Sequence, residues 1–402
     1  MDSAEREGLR PKGNVPNLRF KEFQGEWEKC KLSEICTFFS GGTPSSSNKD
    51  FYGGNIAFIR SGELHADSTE LFITQAGFDS SSAKMVEVGD LLLAMYGATS
   101  GDIAVSKIKG AINQAILCIR TKQNKKFIES VWNKHVSKNL RKYLQGGQGN
   151  LSADIVKGIS FSFPTLKEQE KIANFISLLD ERIATQSKII DKLQSLIKGL
   201  NDTLYAQHGD EVMTSFAELG TSYSGLSGKS AHDFGSGKPF ITYLNVYSNN
   251  VINEKGFQYV TIKDGEKQNV VECGDVLFTL SSETPEEVGI GSVYLGKEKV
   301  YLNSFCFGIH ITNTEVAFPL FLSYYVSSTA FRKFIYPYAQ GSTRFNLCKA
   351  DFEKASIKLP TLENQKRIYS ILSHIDNKII TERQVLDLYN SQKQYLLRQM
   401  FI

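Results

Sequence analysis

Phosphate binding is the first chemistry the sequence suggests, and its motif is incomplete. Tyr223-Ser224-Gly225-Leu226-Ser227-Gly228-Lys229-Ser230 approaches the G-x-x-x-x-G-K-[ST] loop, but Tyr223 stands where the first glycine belongs. No parallel-sheet strand is expected ahead of it to aim backbone N–H groups at a phosphate. Gly289-Ile290-Gly291-Ser292-Val293-Tyr294 fails the dinucleotide fingerprint at its last glycine. An amino-methyltransferase would carry an Asn/Asp-Pro-Pro-aromatic loop, yet no two of the nine prolines are adjacent. His65, His135, His208, His232, His310 and His374 fall singly, without metal-ligand spacing. Cys30, Cys36, Cys118, Cys273, Cys306 and Cys348 form no C-x-x-C, so the thiols are expected to be reduced and mostly buried. The residues predict no catalytic centre, no metal and no cofactor in this chain.

Binding chemistry is better represented. Eight basic residues lie between Arg120 and Lys142 against the single acid Glu129. Lys134, Lys138, Arg141 and Lys142 fall along one side of a helix-like stretch, Lys126–Leu144. Such a stripe could run beside a phosphate backbone or be a solvated face, and both readings stay open. The formal net charge of +3 over 402 residues does not decide between them. Apolar residues at 41% and charged residues at 22% suit a soluble globular protein. No apolar run is long enough to span a bilayer, and the opening MDSAEREGLRPKGN lacks a signal-peptide core, so a cytoplasmic, membrane-free protein is expected.

The elements that must position these residues come in two copies. Phe163-Pro164-Thr165-Leu166-Lys167-Glu168-Gln169-Glu170-Lys171-Ile172 aligns without a gap to Leu359-Pro360-Thr361-Leu362-Glu363-Asn364-Gln365-Lys366-Arg367-Ile368. The same offset matches Asn150-Leu151 to Asn346-Leu347 and Asp180 to Asp376. Leu32-Ser33-Glu34-Ile35 before Ser40-Gly41 resembles Phe216-Ala217-Glu218-Leu219 before Ser224-Gly225, and Gly89-Asp90 echoes Gly274-Asp275. The chain reads as module, helix, module, helix.

Both helices carry heptad seams. Ile172, Ile176, Leu179, Ile183, Gln186, Ile190, Leu193, Ile197, Leu200 and Leu204 follow an unbroken 4-3-4-3 spacing, repeated from Ile368 to Met400. Pro164 and Pro360 stand just ahead, where proline is tolerated, and Thr165-x-x-Glu168 offers a capping box. Neither seam can face water, so the pattern predicts an antiparallel pair with a pseudo-twofold axis. The repeat-equivalent polar seam residues Gln186 and Glu382 are expected to meet there and fix the register, or alternatively to face a partner subunit.

Short β-like runs fill the modules: Ile56–Arg60, Asp90–Met95, Asp102–Val105 and Ala115–Arg120 in the first, Val276–Leu280, Gly291–Leu295 and Cys306–Thr312 in the second. Each module has one helix-like stretch, Lys126–Leu144 or Phe318–Tyr336. The fold class is therefore α+β, with two tandem modules of mixed, mainly antiparallel sheet separated by two long helices packing as an antiparallel coiled coil. The divisions are 1–26 (lead segment), 27–163, 164–208 (central helix), 209–359 and 360–402 (C-terminal helix).

These residues resemble a family. Val15-Pro16-Asn17-Leu18-Arg19-Phe20 ahead of Gly25-Glu26-Trp27, Ser40-Gly41-Gly42-Thr43-Pro44-Ser45, Met95-Tyr96-Gly97-Ala98-Thr99-Ser100-Gly101 and the twice-used Pro-Thr-Leu-x-x-Gln are similar to the DNA specificity (S) subunit of type I restriction–modification systems. The resemblance spans nearly the whole chain. It implies that each module is a target-recognition domain reading one half of a split double-stranded DNA sequence, with helix length setting the gap. It also implies partners: two methylation (M) subunits and restriction (R) subunits, on which S-adenosylmethionine and ATP/Mg would bind. The chain itself would be non-catalytic.

Base readers on the motif loops are then expected to be Thr43, Arg60, Tyr96 and Thr99 in the first module and Ser281, Ser282 and Arg344 in the second, with Lys134 and Lys138 on phosphates. Gln148 of the first module is expected to contact DNA as well, and Arg344 occupies its place in the other copy, as a changed base preference would require. Against this stand a non-DNA-binding coiled-coil scaffold or adaptor and, more remotely, a nuclease assembled in space.

Overall fold

The structure, a computed structural model, describes residues 13–143, 150–208 and 211–402, with the backbone alone for 136–143. The chain packs as two compact units, Met1–Ser187 with Val385–Ile402, and Lys188–Gln384. The division falls inside both long helices rather than at their ends.

In the first unit, β1 (Glu28–Lys31) and β10 (Ser160–Phe163) pair antiparallel and tie the two ends of the module together. Four strands, β2 (Cys36–Ser40), β6 (Leu91–Ala94), β7 (Ile103–Val105) and β9 (Ile116–Thr121), form an antiparallel sheet in the order β2-β9-β6-β7. A second sheet joins β3 (Tyr52–Ile59), β4 (Phe72–Ile73), β5 (Lys84–Val86) and β8 (Gly110–Ile112) in the order β4-β3-β8-β5, with β3 and β8 parallel. The run Leu91-Leu92-Leu93-Ala94 is apolar throughout because β6 is covered on both faces. Leu91 and Leu93 pack with Phe127 and Trp132 of helix α1 (Lys125–Tyr143), while Leu92 and Ala94 pack with Ile59, Val86 and Ile112 of the second sheet.

The long helix α2 (Leu166–His208) starts after β10. In the second unit, β11 (Val212–Thr214) pairs with β22 (Ile357–Leu359) as β1 pairs with β10. The main sheet of β12 (Gly220–Ser224), β15 (Val276–Thr279), β17 (Gly291–Val293) and β19 (Cys306–Ile311) has the order β12-β19-β15-β17. Behind it lie β13 (Phe234–Ile241), β14 (Gln258–Val260) and β18 (Tyr301–Leu302), again with a parallel pair, β13 and β18. A small sheet of β16 (Ser281–Ser282), β20 (Ala339–Gln340) and β21 (Phe345–Leu347) completes the module. The expected strands are all present.

The helices of this module differ from expectation. Phe318–Tyr336 is two helices, α3 (Pro319–Tyr325) and α4 (Thr329–Ile335), rather than one. The Ser328 hydroxyl caps α4 by accepting from the Phe331 amide, and Asp202 of α2 accepts from both the amide and the hydroxyl of Thr329 at 2.9 and 2.6 Å. A capped start 127 residues away in sequence from its partner is invisible to apolar periodicity.

α2 and the C-terminal helix α5 (Leu362–Met400) pack antiparallel within each unit. In the first, Ile172, Ile176 and Leu179 share one core with Leu396, Leu397 and Met400. Asp180 accepts from Lys393 at 2.6 Å and Lys126 at 3.0 Å, and Gln186 lines one cavity with Tyr389, so α5 retreats as α2 advances. In the second, Ile197, Leu200 and Leu204 pack on the core containing Ile368 and Leu372. The Thr165 capping box does not form as expected. Both Glu168 oxygens accept from the Arg19 guanidinium at 2.7 Å, a bidentate pair from the lead segment that commits the carboxylate. Among the described residues no helix is long and apolar enough to cross a membrane.

Candidate nucleic-acid interface

The motif loops of the first unit converge on one rim of the module. β3 ends at Ile59, paired with Ile112 of β8, so Arg60 and Asn113 leave the sheet side by side. Asn113 folds an Asx turn: its Oδ1 accepts from the Ala115 amide at 3.1 Å and its carbonyl from the Ile116 amide at 3.3 Å. The Ala115 carbonyl accepts from the Met95 amide at 2.8 Å, and the Met95 carbonyl from the Leu151 amide at 2.8 Å. This latches the Tyr96–Gly101 loop to the turn. The Thr43 hydroxyl donates to Gln114 Oε1, which brings the Ser-Gly-Gly-Thr segment to the same place. Gly41 is required there, because a Cβ would stand 1.8 Å from the Ile112 carbonyl oxygen.

On that rim Thr43 is exposed, Tyr96 is 41% exposed and Thr99 is half-buried. Arg60 is exposed but committed: its Nη2 donates to Glu63 Oε1 at 2.7 Å and its Nε to Glu63 Oε2 at 3.2 Å. Thr43, Arg60, Tyr96 and Thr99 are thus brought to one edge.

The second unit repeats the backbone and changes the side chains. The Asn303 Oδ1 accepts from the Phe305 amide at 2.9 Å, and the Phe305 carbonyl accepts from the Leu280 amide at 2.9 Å. The Leu280 carbonyl accepts from the Leu347 amide at 2.8 Å. Gly225 takes the role of Gly41, since a Cβ would lie 2.0 Å from the Asn303 carbonyl oxygen. Ser281 and Ser282 are buried, at 9% and 8% exposure, and pair as β16 with Asn346 and Phe345. Ser281 offers its carbonyl to the Tyr243 hydroxyl at 2.7 Å, and the Ser282 hydroxyl donates to Glu287 at 3.0 Å. The groups presented to solvent around them are Glu283, Thr284, Phe305 and Arg344. Arg344 stands at the tip of the β20–β21 hairpin, where Gly341 adopts φ +145°.

At the end of each main sheet away from the rim, the Gly-Asp echo becomes a buried carboxylate with different partners. Asp90 accepts from the Arg120 guanidinium at 2.7 Å and from the Glu87 amide at 3.0 Å, and Arg120 lies 4.9 Å over the Phe39 ring. Burial pushes the Asp90 carboxyl up, but Arg120, the Glu87 amide and Lys125 outweigh it and hold it below the usual range. Asp275 accepts from the Tyr223 hydroxyl at 2.6 Å and the Glu272 amide at 2.8 Å, with His310 Nδ1 at 2.9 Å. There burial wins and raises the carboxyl.

Lys134 is half-buried and donates to the Phe401 carbonyl, so it serves the packing of α5 on α1. The side chain of Lys138, and Gln148, lie outside the described residues. Gln186 is 7% exposed in the helix seam, and Glu382, largely buried, pairs with Lys378 one turn away.

Comparison with known proteins bears on what such a rim serves. The type I restriction modification DNA specificity domain matches twice, over residues 24–195 and 219–388. The chain belongs to the type I restriction–modification DNA specificity family. It is 24% identical to a putative type I restriction enzyme MjaX specificity subunit of Methanocaldococcus jannaschii, over 96% of this chain and 95% of that protein. The fold is similar to the type I restriction–modification S subunit from M. genitalium, with 13% identity, a TM-score of 0.57 and coverage of 96% and 99% of the two chains. A chain from work on assembly and conformational transition of the type I R-M system gives 16% identity, a TM-score of 0.58 and coverage of 94% and 97%.

Two features of this specificity subunit escaped the sequence reasoning. One is the Asn turn, carried by Ile112-Asn113-Gln114-Ala115 and Leu302-Asn303-Ser304-Phe305, a repeat short enough to pass unnoticed. The other is the glutamine of Pro-Thr-Leu-x-x-Gln. Gln169 Nε2 donates to the Pro164 carbonyl at 2.9 Å and Gln123 Oε1 at 2.7 Å, while its Oε1 accepts from the Asn124 amide at 3.0 Å. Gln365 makes the equivalent bonds to Pro360, Val316 and the Phe318 amide at 2.8, 2.7 and 2.8 Å.

Proposed function

We propose that each unit of this specificity subunit reads one half of a split double-stranded DNA target through the rim around its Asn turn. The observation that carries the reading is that both units keep one backbone scaffold and vary the side chains it carries at the rim. The Asn turn, the latched loop and the packed glycine recur, while Tyr96, Gln114 and Ala115 give way to Ser281, Ser304 and Phe305. A constant frame with changed donors, acceptors and apolar groups is what two different base sequences require.

In this reading two methylation subunits dock along the helix pair, restriction subunits join that core, and the chain itself is non-catalytic. S-adenosylmethionine and ATP/Mg bind on those partners. Arg344 supplies a guanidinium group for guanine, Arg60 does the same by exchanging Glu63 for the base edge, and Thr43, Tyr96 and Thr99 complete the first rim.

Base-resolved mapping of modified adenines, with and without the gene, tests this. Loss of methylation at one two-part motif on deletion is expected. Two outcomes refute the reading: an unchanged methylome in a strain that expresses the whole complex, or loss at an unsplit motif.

A further inference from the structure

Phe305 is 59% exposed, the most exposed aromatic side chain among the described residues. The turn that carries it is nevertheless held by four hydrogen bonds, two of them on the Phe305 backbone itself. The Asn303 side chain takes the Phe305 amide and the Phe305 carbonyl takes the Leu280 amide, both at 2.9 Å. The Asn303 carbonyl takes the Cys306 amide and the Asn303 amide donates to Ile241, both at 3.0 Å. The first unit builds the same turn with a methyl group, Ala115, in place of the ring. An apolar ring displayed on fixed backbone adds little packing to the fold it belongs to, and its position on the rim leaves it available to an outside apolar contact. The Leu280 loop latched to Phe305 pairs through β16 with the strand following Arg344, which puts ring and guanidinium on one rim.

We infer that Phe305 is a specificity-determining residue whose ring contacts the 5-methyl group of a thymine in the half-site read by the second unit. The inference rests on the reading given under Proposed function. Among base edges in the major groove, the thymine methyl is the apolar feature, and phenylalanine is a side chain suited to it. The smaller Ala115 leaves the first unit without an equivalent reach.

The test uses the chain assembled with its methylation subunits and duplexes carrying its mapped target. Each thymine of the second half-site is replaced in turn by uracil, which removes the methyl and keeps the hydrogen-bonding edge. Wild-type complex is expected to bind one uracil duplex about fourfold more weakly, the worth of one buried methyl-sized group. F305A is expected to bind thymine and uracil duplexes alike, and F305L to fall between. Phe305 lies outside the core, and thermal unfolding together with assembly with the methylation subunits checks that these variants fold. If wild type and F305A respond identically to every uracil, or if the half-site contains no thymine, the inference is overturned while the split-target reading stands. A wild-type complex with no split target overturns both.

Discussion

The Gln169 side-chain amide donates to the carbonyl oxygen of Pro164 at 2.9 Å, and both groups are buried at the start of α2. Gln365 and Pro360 make the same bond at 2.8 Å at the start of α5. The glutamine ties the helix, the proline turn and the segment entering the module's helix into one knot. Replacing Gln169 by Ala leaves the Asn124 amide and the Pro164 carbonyl unsatisfied and is expected to destabilise the first unit by about 2 kcal/mol. Gln169→Glu is expected to be worse at neutral pH, since a carboxylate would face two acceptor oxygens. Urea unfolding followed for the two units separately reads both effects, and the Gln365 variants should transfer them to the second unit.

The two buried aspartates predict opposite acid responses. Asp90 is held below its ordinary value of 3.8, so its contribution is present above that pH and is lost as pH falls through the lowered value. Asp275 is raised above 3.8, so the folded state holds its proton longer and that contribution fades as pH rises through the raised value. Asp90→Asn should therefore flatten the loss of stability on acidification in the first unit. Asp275→Asn should flatten a decline with rising pH in the second. Unfolding midpoints measured from pH 3 to 7 decide both signs.

His65 Nε2 lies 2.9 and 3.0 Å from the two oxygens of Asp102, at the foot of the Tyr96–Gly101 loop. The Asp102 hydrogen bond raises the imidazole above its ordinary 6.5. The contact is at full strength below that value and is lost as pH rises through the raised one. In an NMR titration His65 should titrate above 6.5. In Asp102→Asn it should fall back, and an unmoved value would mean that the pair does not form in solution.

Arg344→Ala in the assembled complex is expected to lose discrimination at a single base position of the second half-site, by about 1–3 kcal/mol. A phosphate contact would instead weaken all sequences alike and lower the salt slope by about one. Binding to single-base variants at two salt concentrations separates the two.

Much of this architecture was legible because it is periodic or repeated. The heptad seams of α2 and α5, the strands and the duplicated Pro-Thr-Leu-x-x-Gln all read directly from residue order. What escaped depends on partners remote in sequence. Glu168 looks like half of a capping box until Arg19 takes both its oxygens. Lys134 looks like a phosphate contact until the Phe401 carbonyl takes its ammonium. Phe318–Tyr336 looks like one helix until Asp202 and Ser328 cap a second start. On the rim, the motif loops were found but their depth was not: Ser281 and Ser282 are small and polar, yet pairing with Phe345 and Asn346 buries them.

The second unit is one continuous stretch, whereas the first is closed by residues from the far end of the chain. Leu396, Leu397, Met400 and Phe401 sit in the core with Trp27, Phe127 and Trp132. A ribosome delivers them after every residue of the second unit. The half of the protein made first is thus the half completed last, and until then the nascent chain displays an open apolar socket. Translation order therefore leaves the first unit open until residues 396–401 are made, and a message stopped after the second unit would yield one finished unit beside one that cannot close.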